Sequence, residues 1–305
     1  HTLLTEGEKL LEDPFSDMVM YEKKLYFVHR DPPHPPPPPP PSLGFNEEFP
    51  PPLPMKRMHE PPILEDIEEF YTGLRLACEQ YQVDIVGGDT TSSLTGLAIS
   101  ITCIGEADKE SIIYRNGAKE TDLICVSGDL GAAYMGLQLL EREKSVFKGE
   151  KEVQPDFSGK EYLLERQLKP EARADIIKRL AEASIKPTAM MDISDGLSSE
   201  LLHICTQSKV GCRIYEEHIP IDYQTAVMAE EFNMNLTTCA LNGGEDYELL
   251  FTVPIADHEK ISEMDGIKLI GHITKPEMGC ALISRDGQEF ELKAQGWNPL
   301  QEEKK

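Results

Sequence analysis

Hydrophobic residues recur at helical spacing from residue 63 onward. Between residues 64 and 81 they fall on one face of a helix, at Ile67, Phe70, Tyr71, Leu74 and Cys78. The same spacing predicts further helices at residues 132–142, 161–184, 197–208, 223–232 and 255–264. Pro170 interrupts the second of these, because proline breaks the hydrogen-bond pattern of a helix interior.

Short apolar runs between these helices have the length and the flanking glycines of β-strands. They lie at residues 83–86, 97–104, 123–126, 188–191, 247–253, 269–273 and 281–284. Strands that alternate with helices predict an α/β or α+β fold, with mixed sheets flanked by helices. The sequence contains no internal repeat.

The first 62 residues differ from the rest of the chain. They contain most of its 23 prolines, including the unbroken run 35–41. Proline cannot donate a backbone hydrogen bond and favours the extended polyproline II conformation. The segment is typical of a linker or of a ligand for a proline-reading domain. We predict an N-terminal domain over residues 1–112, with 1–62 as its Pro-rich part, and a C-terminal α/β domain over residues 113–305.

Acidic residues far outnumber basic ones. The chain has 54 Asp and Glu against 30 Lys and Arg, a net charge of -24. Such a field repels nucleic acid and anionic membranes, so we expect neither as a partner. No apolar run is long enough to cross a bilayer and no signal peptide is visible. These features predict a cytoplasmic protein.

The seven cysteines and eight histidines show no spacing typical of a metal site. No CxxC pair is present, and most cysteines lie in apolar runs such as residues 123–126. We therefore expect reduced core cysteines rather than a structural zinc site or disulfides. No Ser-His-Asp or Cys-His arrangement is visible either, so no protein nucleophile is expected.

Three short clusters combine glycine with acidic residues next to predicted strands. They lie at residues 87–90, 192–196 and 243–246. Glycine lets the backbone approach a ligand closely because it has no Cβ atom. Carboxylates beside it can hold Mg²⁺, which prefers oxygen ligands and often bridges to phosphate. Together the clusters predict a site where metal ions carry a polyphosphate.

Each cluster also has a simpler explanation. In residues 192–196, Ser194 or Asp195 can cap the following helix, but a cap does not explain two acids and a glycine. Residues 87–93 are typical of a hairpin turn, which by itself explains them better than a ligand-binding loop. Residues 243–248 have turn glycines too, yet three carboxylates within four residues repel one another without a cation.

Three further features have a structural explanation beside a functional one. Arg115 lies beside a turn glycine, where an arginine can bind phosphate, although from spacing alone an ordinary surface charge explains it better. Trp297, the single tryptophan, anchors the C-terminal tail or stacks on a flat or cationic ligand. Residues 127–131 have the glycines of a nucleotide loop but lack the ending of a P-loop. Close helix–strand packing explains them better.

Taken together, these segments resemble the thiamine-monophosphate kinase family, within the superfamily of aminoimidazole-ribonucleotide synthetase and selenophosphate synthetase. The matching segments are residues 86–90, 115–119, 126–131, 191–197 and 242–250. They occur in the family's order and at its spacing. The resemblance implies a two-domain aminoimidazole-ribonucleotide synthetase-like fold. Its N-terminal half binds ATP and metal and pairs in a homodimer, with the active site in a cleft near the domain junction.

The resemblance further implies Mg-assisted transfer of the γ-phosphate of ATP to thiamine monophosphate, which gives thiamine diphosphate. Because the acceptor is already a phosphate, no general base is needed. The implied ATP-binding residues are Gly88, Asp89, Arg115 and Ser194. The implied metal ligands are Asp89, Asp192 and Asp195. The implied thiamine-binding residues are Glu245 and Trp297.

The N-terminal part departs from the family. The family's Gly-Asp-Asp-Ala-Ala, Thr-Thr-Asp and Asn-x-Ser-Asp motifs are not intact in residues 1–62, where Asp17 and Asp31 are the nearest counterparts. These motifs supply metal-site groups in the family. Two other hypotheses therefore stay open. One is a non-catalytic nucleotide-binding or interaction protein, and the other is a different enzyme of the superfamily, such as selenophosphate synthetase.

Overall fold

The computed structural model describes residues 24–25, 64–91, 98–146 and 157–294. The chain divides into two compact units, residues 1–112 and 113–305. The roles that the sequence analysis assigns to the two domains stay predictions. None of the helices in the described ranges combines the length and the apolar composition that a bilayer crossing requires.

The first unit contains one long helix and two short strands among its described residues. Helix α1 spans Leu64–Tyr81, as its spacing predicts, and strand β1 (Lys24–Leu25) pairs in parallel with β2 (Asp84–Ile85). The predicted strand 97–104 is wrong, because residues 98–104 have no regular secondary structure. Isolated extended backbone is not stable as a strand, and no described segment pairs with this one.

The second unit alternates strands and helices along the sequence. Its strands are β3 (Leu123–Ser127), β4 (Ala189–Asp192), β5 (Gly211–Tyr215), β6 (Leu249–Val253), β7 (Ile267–Thr274), β8 (Cys280–Ile283) and β9 (Glu289–Glu291). Its helices are α2 (Ala132–Val146), α3 (Glu161–Leu168), α4 (Ala174–Glu182), α5 (Leu197–Ser208), α6 (Tyr223–Glu231), α7 (Leu236–Asn242) and α8 (His258–Ser262). Short 3₁₀ turns lie at Glu216–His218, Ile255–Asp257 and Pro276–Met278.

One mixed sheet of seven strands forms the centre of the second unit, in the order β4-β6-β3-β7-β5-β8-β9. Every neighbouring pair is antiparallel except β5 and β8, which run parallel. On the β4 edge, Asp192 is the register partner of Leu249 on β6. This pairing places the loop that follows β4 beside the loop that precedes β6.

Both faces of the sheet are covered by helices. Alternate residues of β3 point to opposite faces, so Ile124 and Val126 pack with helix α5, whereas Leu123 and Cys125 pack with helix α4. A third apolar cluster joins helices α2, α3, α6 and α7. The result is the predicted α/β arrangement of a mixed sheet between helical layers.

Three elements of the second unit have no counterpart in the sequence prediction: α7, β5 and β9. Helix α7 has seven residues, too few for a periodic pattern to stand out. Its start is set by a local contact, because the side chain of Asn235 accepts a hydrogen bond from the backbone N–H of Thr238 at 2.8 Å. Strand β5 includes the buried Arg213, which interrupts its apolar run.

Candidate active site

The loop after β4 presents two carboxylates to solvent. Asp192 and Asp195 are exposed, while Ile193 between them is fully buried in the core. Gly196 then begins helix α5 with φ of 111°, and a Cβ atom there would lie 2.8 Å from the carbonyl oxygen of Leu241. The glycine is therefore required by the close approach of α7 as well as by its backbone angle.

The loop before β6 is hydrogen-bonded to this first loop through its backbone. The N–H of Glu245 donates to Ser194 O at 2.7 Å, and the N–H of Tyr247 donates to Ile193 O at 2.8 Å. In return, the N–H of Ile193 donates to Glu248 O at 2.8 Å. These bonds extend the pairing of β4 with β6 beyond the sheet, so the two acid-and-glycine clusters form one surface.

The three carboxylates of residues 245–248 do not point the same way. Glu245 is exposed, whereas Asp246 and Glu248 are almost completely buried. Two cations meet Glu248: Arg166 Nη1 donates to Oε1 at 3.0 Å, and Arg173 Nη1 donates to Oε2 at 2.5 Å. The cation that the sequence required at this cluster is supplied, for its buried part, by arginines of the protein itself.

Asp246 and Glu248 attach residues 127–131 to the same assembly. Both oxygens of Asp246 accept the N–H of Gly131, at 3.1 and 3.0 Å. The hydroxyl of Ser127 donates to Glu248 and accepts the N–H of Leu249. Burial raises the pKa of Asp246 to about 7, against the lowering effect of the hydrogen bond from Gly131. The packing role expected of residues 127–131 is thus accompanied by specific polar anchoring.

Glu200 is hydrogen-bonded to the 192–196 loop. It lies on α5 and is 1% exposed, and its Oε1 accepts the N–H of Asp195 at 2.9 Å and the hydroxyl of Ser194 at 3.4 Å. Its Oε2 is buried without a hydrogen-bond partner in the described part of the chain. Burial, with a smaller effect from the charges of Asp195 and Asp192, raises the pKa of Glu200 to about 7, against the lowering effect of the hydrogen bond from the Asp195 N–H.

Tyr247 shows that the exposed acids of both loops share one electrostatic environment. Its hydroxyl donates to Glu245 Oε2 at 3.1 Å. Burial raises its pKa, as do the Glu245 hydrogen bond and the charges of Glu245, Asp192 and Asp195. Glu245 and Tyr247 also have positive φ values, 61° and 51°. Such backbone strain in residues other than glycine is typical of functional loops.

Arg115 lies beside the other end of β4. The N–H of Met190 donates to Tyr114 O at 3.1 Å, and a Cβ on Gly117 would lie 1.9 Å from Thr188 O. These contacts fix the turn that carries Arg115 against the strand that ends at Asp192. The half-buried guanidinium makes no ion pair within the described residues, so its donors remain available to an anion.

The remaining predicted residues lie elsewhere. Gly88 and Asp89 belong to the first unit, where Asp89 is exposed and accepts the N–H of Thr90 at 2.8 Å. A Cβ on Gly88 would meet no atom within 4 Å, so packing inside that unit does not require a glycine there. Trp297 lies outside the described residues.

The residues that hold the site together were largely missed by the sequence analysis. Arg166, Arg173 and Glu200 were not singled out, although all three contact the motif loops. One signal was available for the arginines. In a chain with 30 basic residues against 54 acids, basic residues within a short helical segment are candidates for pairing with buried acids. No comparable signal marks Glu200.

The donor set of the two loops fits a hard divalent cation. Asp192 and Asp195 offer exposed carboxylate oxygens close to each other in sequence and on the same loop. Mg²⁺ usually binds one or two carboxylates, keeps several waters and takes its other ligands from a phosphate. Two exposed aspartates beside an open surface are consistent with this mode of Mg²⁺ binding, in which water and phosphate supply the remaining ligands.

Two domain families of AIR synthase related proteins match the chain. The N-terminal domain family matches residues 46–107, and the C-terminal domain family matches residues 119–278. The thiamine-monophosphate kinase of Aquifex aeolicus is 33% identical over 220 residues, which are 69% of this chain and 67% of that protein. The Bacillus subtilis thiamine-monophosphate kinase is 30% identical over 238 residues, 76% of this chain and 69% of that protein.

Solved structures agree with these matches. AaThiL complexed with AMPPCP and TMP superposes with a TM-score of 0.60 at 30% identity, over 78% of this chain and 69% of that chain. The Stenotrophomonas maltophilia thiamine-monophosphate kinase gives 0.63 at 29% identity, over 76% and 70%. The chain therefore belongs to the thiamine-monophosphate kinase family of AIR synthase related proteins.

Proposed function

We propose that this chain transfers the γ-phosphate of ATP to thiamine monophosphate, giving thiamine diphosphate. One observation carries the proposal: the backbone hydrogen bonds between the 192–196 and 243–248 loops join the acids assigned to metal and to thiamine on one surface. Membership of a kinase family supports it, as does a relative whose structure contains AMPPCP and TMP together. Selenophosphate synthesis has no comparable support among these matches.

The proposed roles follow the exposure of each side chain. Asp192 and Asp195 hold Mg²⁺ with their exposed carboxylates, and bound Mg²⁺ supplies positive charge beside phosphate oxygens. Ser194 contacts ATP from the same loop, and Arg115 offers its guanidinium to the phosphates. Glu245, exposed at the neighbouring loop, faces the thiamine substrate, whose ring is cationic. Gly88, Asp89 and Trp297 keep their predicted roles towards ATP, metal and thiamine.

The chemistry needs positioning more than it needs a reactive side chain. The phosphate of thiamine monophosphate is already a nucleophile, so no residue has to remove a proton from it. The difficulty lies in bringing two polyanions together, and it is greater in a chain of net charge -24. Glu200 and the loop-to-loop hydrogen bonds keep Ser194 and Asp195 in place before substrate arrives, which lowers the entropic cost of alignment.

Homodimer formation through the first unit is part of the proposal. Several large apolar side chains of that unit are exposed, at Ile85, Val86, Ile99 and Ile101. Exposed apolar side chains of this size are candidates for burial in a subunit interface. A cytoplasmic location stays a prediction from the sequence.

A direct product assay of the 305-residue chain tests the proposed reaction. Purified protein is incubated with Mg²⁺, ATP and thiamine monophosphate, and thiamine diphosphate is separated and quantified. Thiamine without its phosphate serves as the matched control acceptor and should give no product. Absence of thiamine diphosphate, together with tight binding of Mg-ATP, would reject the kinase and favour the non-catalytic nucleotide-binding protein.

A further inference from the structure

Three cysteines that are far apart in the sequence meet in the second unit. Cys205 lies near the C-terminal end of α5, Cys212 on β5 and Cys280 at the start of β8. Cys212 and Cys280 are register partners across the parallel strands. The three Sγ atoms all lie within 4.8 Å of one another. We call these three residues the thiol cluster.

The thiol cluster has the dimensions of a metal site. A zinc–sulfur bond is about 2.3 Å long, which places two thiolates on one ion about 4 Å apart. The sulfur atoms, all within 4.8 Å of one another, therefore need at most a small contraction to share a cation. Among the residues that the structure describes, these are the three His, Cys, Asp or Glu side chains whose potential ligand atoms lie within 4.8 Å of one another.

The acidity of the cluster differs from that of an ordinary core cysteine. Cys125 is buried in β3 away from the cluster, and burial alone raises its pKa to about 12. At Cys280, hydrogen bonds from the thiols of Cys205 and Cys212 lower the pKa, and the charge of Arg213 lowers it too. The pKa values of Cys205 and Cys212 are raised instead, so the proposal rests on the positions of the three sulfur atoms and not on their acidity.

Arg213 also fixes the backbone on both sides of the cluster. Its guanidinium donates to Cys212 O at 2.8 Å, to Gly279 O at 3.1 Å and to Met278 O at 2.9 Å. These bonds hold β5 against the turn that precedes Cys280. The arrangement of the sulfur atoms is thus set by the fold and does not have to be assembled by the ion.

The surroundings select a soft cation. Cys205 and Cys212 are buried in the main apolar core, while Cys280 is only partly buried and offers a route of entry. No carboxylate or imidazole of the described residues joins the group, so a hard, oxygen-preferring ion such as Mg²⁺ finds no ligands here. Thiolate sulfur selects soft or borderline ions.

We propose that Cys205, Cys212 and Cys280 bind one thiophilic d¹⁰ cation, Zn²⁺ or Cu(I), at a site separate from the ATP and thiamine loops. Binding releases the thiol protons to solvent and joins α5, β5 and β8 through three metal–sulfur bonds. Cu(I) is satisfied by three sulfur ligands, whereas Zn²⁺ takes a water as its fourth ligand beside the partly exposed Cys280. The proposal does not depend on the kinase reaction.

Titration with Cd²⁺ alone, a spectroscopic substitute for Zn²⁺, tests the site in the reduced 305-residue chain. We expect a thiolate-to-cadmium absorption band in the ultraviolet that saturates at one equivalent per chain. The Cys280→Ala variant should lose the band, while Cys125→Ala, a buried cysteine outside the cluster, should keep it. An equal band in Cys280→Ala, or a band only in urea-unfolded protein, would overturn the proposal.

Alkylation of the wild-type chain gives a second measurement that needs no variant to fold. Iodoacetamide labelling of Cys280, followed by peptide mass spectrometry, should slow about 100-fold at a free Zn²⁺ concentration 100 times the dissociation constant. Labelling of the partly buried Cys103 provides the internal control. A parallel arm with Cu(I) under anaerobic conditions shows which ion binds more tightly. Cys280 labelling that neither ion slows would reject the metal site.

Discussion

The alternation of exposed and buried residues decides what the 192–196 loop can do. Asp192 and Asp195 are exposed, while Ile193 and Gly196 are buried and fix the backbone between them. An exposed carboxylate without structural contacts can be changed without disturbing the core. The function of these two aspartates can therefore be separated from stability.

Asp192→Asn and Asp195→Asn should each reduce kcat/KM for thiamine monophosphate by at least about 100-fold, because each removes one charge from the metal-binding pair. The free energy of unfolding should stay within about 0.5 kcal/mol of wild type. Steady-state kinetics and urea denaturation measure the two effects. Asp265→Asn, an exposed aspartate in a turn, is the control. Wild-type activity in either loop variant would count against the site.

Asp246 makes the stability of the protein depend on pH. Burial raises its pKa from 3.8 to about 7. Between roughly pH 4 and 7 the folded state keeps this proton and the unfolded chain releases it, so the contribution of Asp246 is fully present at low pH and is lost as pH rises through the folded pKa.

Asp246→Asn should remove this pH-dependent contribution. Urea denaturation at several pH values should show that the wild-type free energy of unfolding falls relative to the variant as pH rises, by at most about 1.4 kcal/mol per pH unit. Asp265→Asn should run parallel to wild type. A constant difference between Asp246→Asn and wild type across this pH range would mean that Asp246 is ionised in the folded protein.

At the scale of elements, two loops and one helix end act as a single unit. The loops after β4 and before β6 exchange three backbone hydrogen bonds, and α5 contributes Glu200 beneath them. Gly244 lies where the 243–248 loop packs against the 192–196 loop. Its φ is 71°, and a Cβ there would lie 2.6 Å from Ser194 O. The loops can only approach this closely without a side chain at that position.

Gly244→Ala should therefore cost more than the backbone angle alone. We expect a loss of about 1 kcal/mol from the left-handed conformation and a further loss from the clash, about 2 kcal/mol or more in total. Gly287→Ala is a matched control, since Gly287 has φ of 81° and a Cβ there would meet no atom within 4 Å. Equal destabilisation of the two variants in urea would show that the loops separate freely.

The helices and strands were predictable to different degrees. Helix α5 was predicted at its observed bounds, because an apolar face and an N-terminal glycine lie within the segment itself. Residues 98–104 were wrongly predicted as a strand, because their apolar pattern resembles one while strand formation requires a partner. Spacing along the chain identifies what a segment can bury but not whether a neighbour is present.

At the scale of the whole molecule, acidic residues are in excess, but the buried Glu248 is paired with arginines. Arg166 and Arg173 concentrate positive charge on Glu248 inside the second unit. The first unit shows a different feature, since Ile99 and Ile101 are 52% and 49% exposed. Apolar exposure of this degree at neighbouring positions supports the proposal that the first unit pairs with a second copy.

Ile101→Glu should weaken the predicted homodimer, because a charge in an apolar interface loses its hydration without gaining a partner. The dissociation constant should rise about tenfold or more, a cost of about 1.4 kcal/mol or more, as measured by sedimentation velocity across protein concentrations. Ile255→Glu, at an isoleucine of the second unit that is 59% exposed, is the control and should leave the dimer unchanged. A monomeric wild-type chain at micromolar concentration would contradict the prediction.

The sequence by itself determined the class of fold, the motif segments and the family, because helix periodicity, turn glycines and motif spacing are all properties of neighbouring residues. Only the tertiary structure decided which acids face solvent and which are paired. Ser127 and Glu248 are 121 residues apart and yet hydrogen-bonded, and the thiol cluster joins three separate elements. Such contacts depend on how the sheet orders its strands, and strand order is not written in any local pattern.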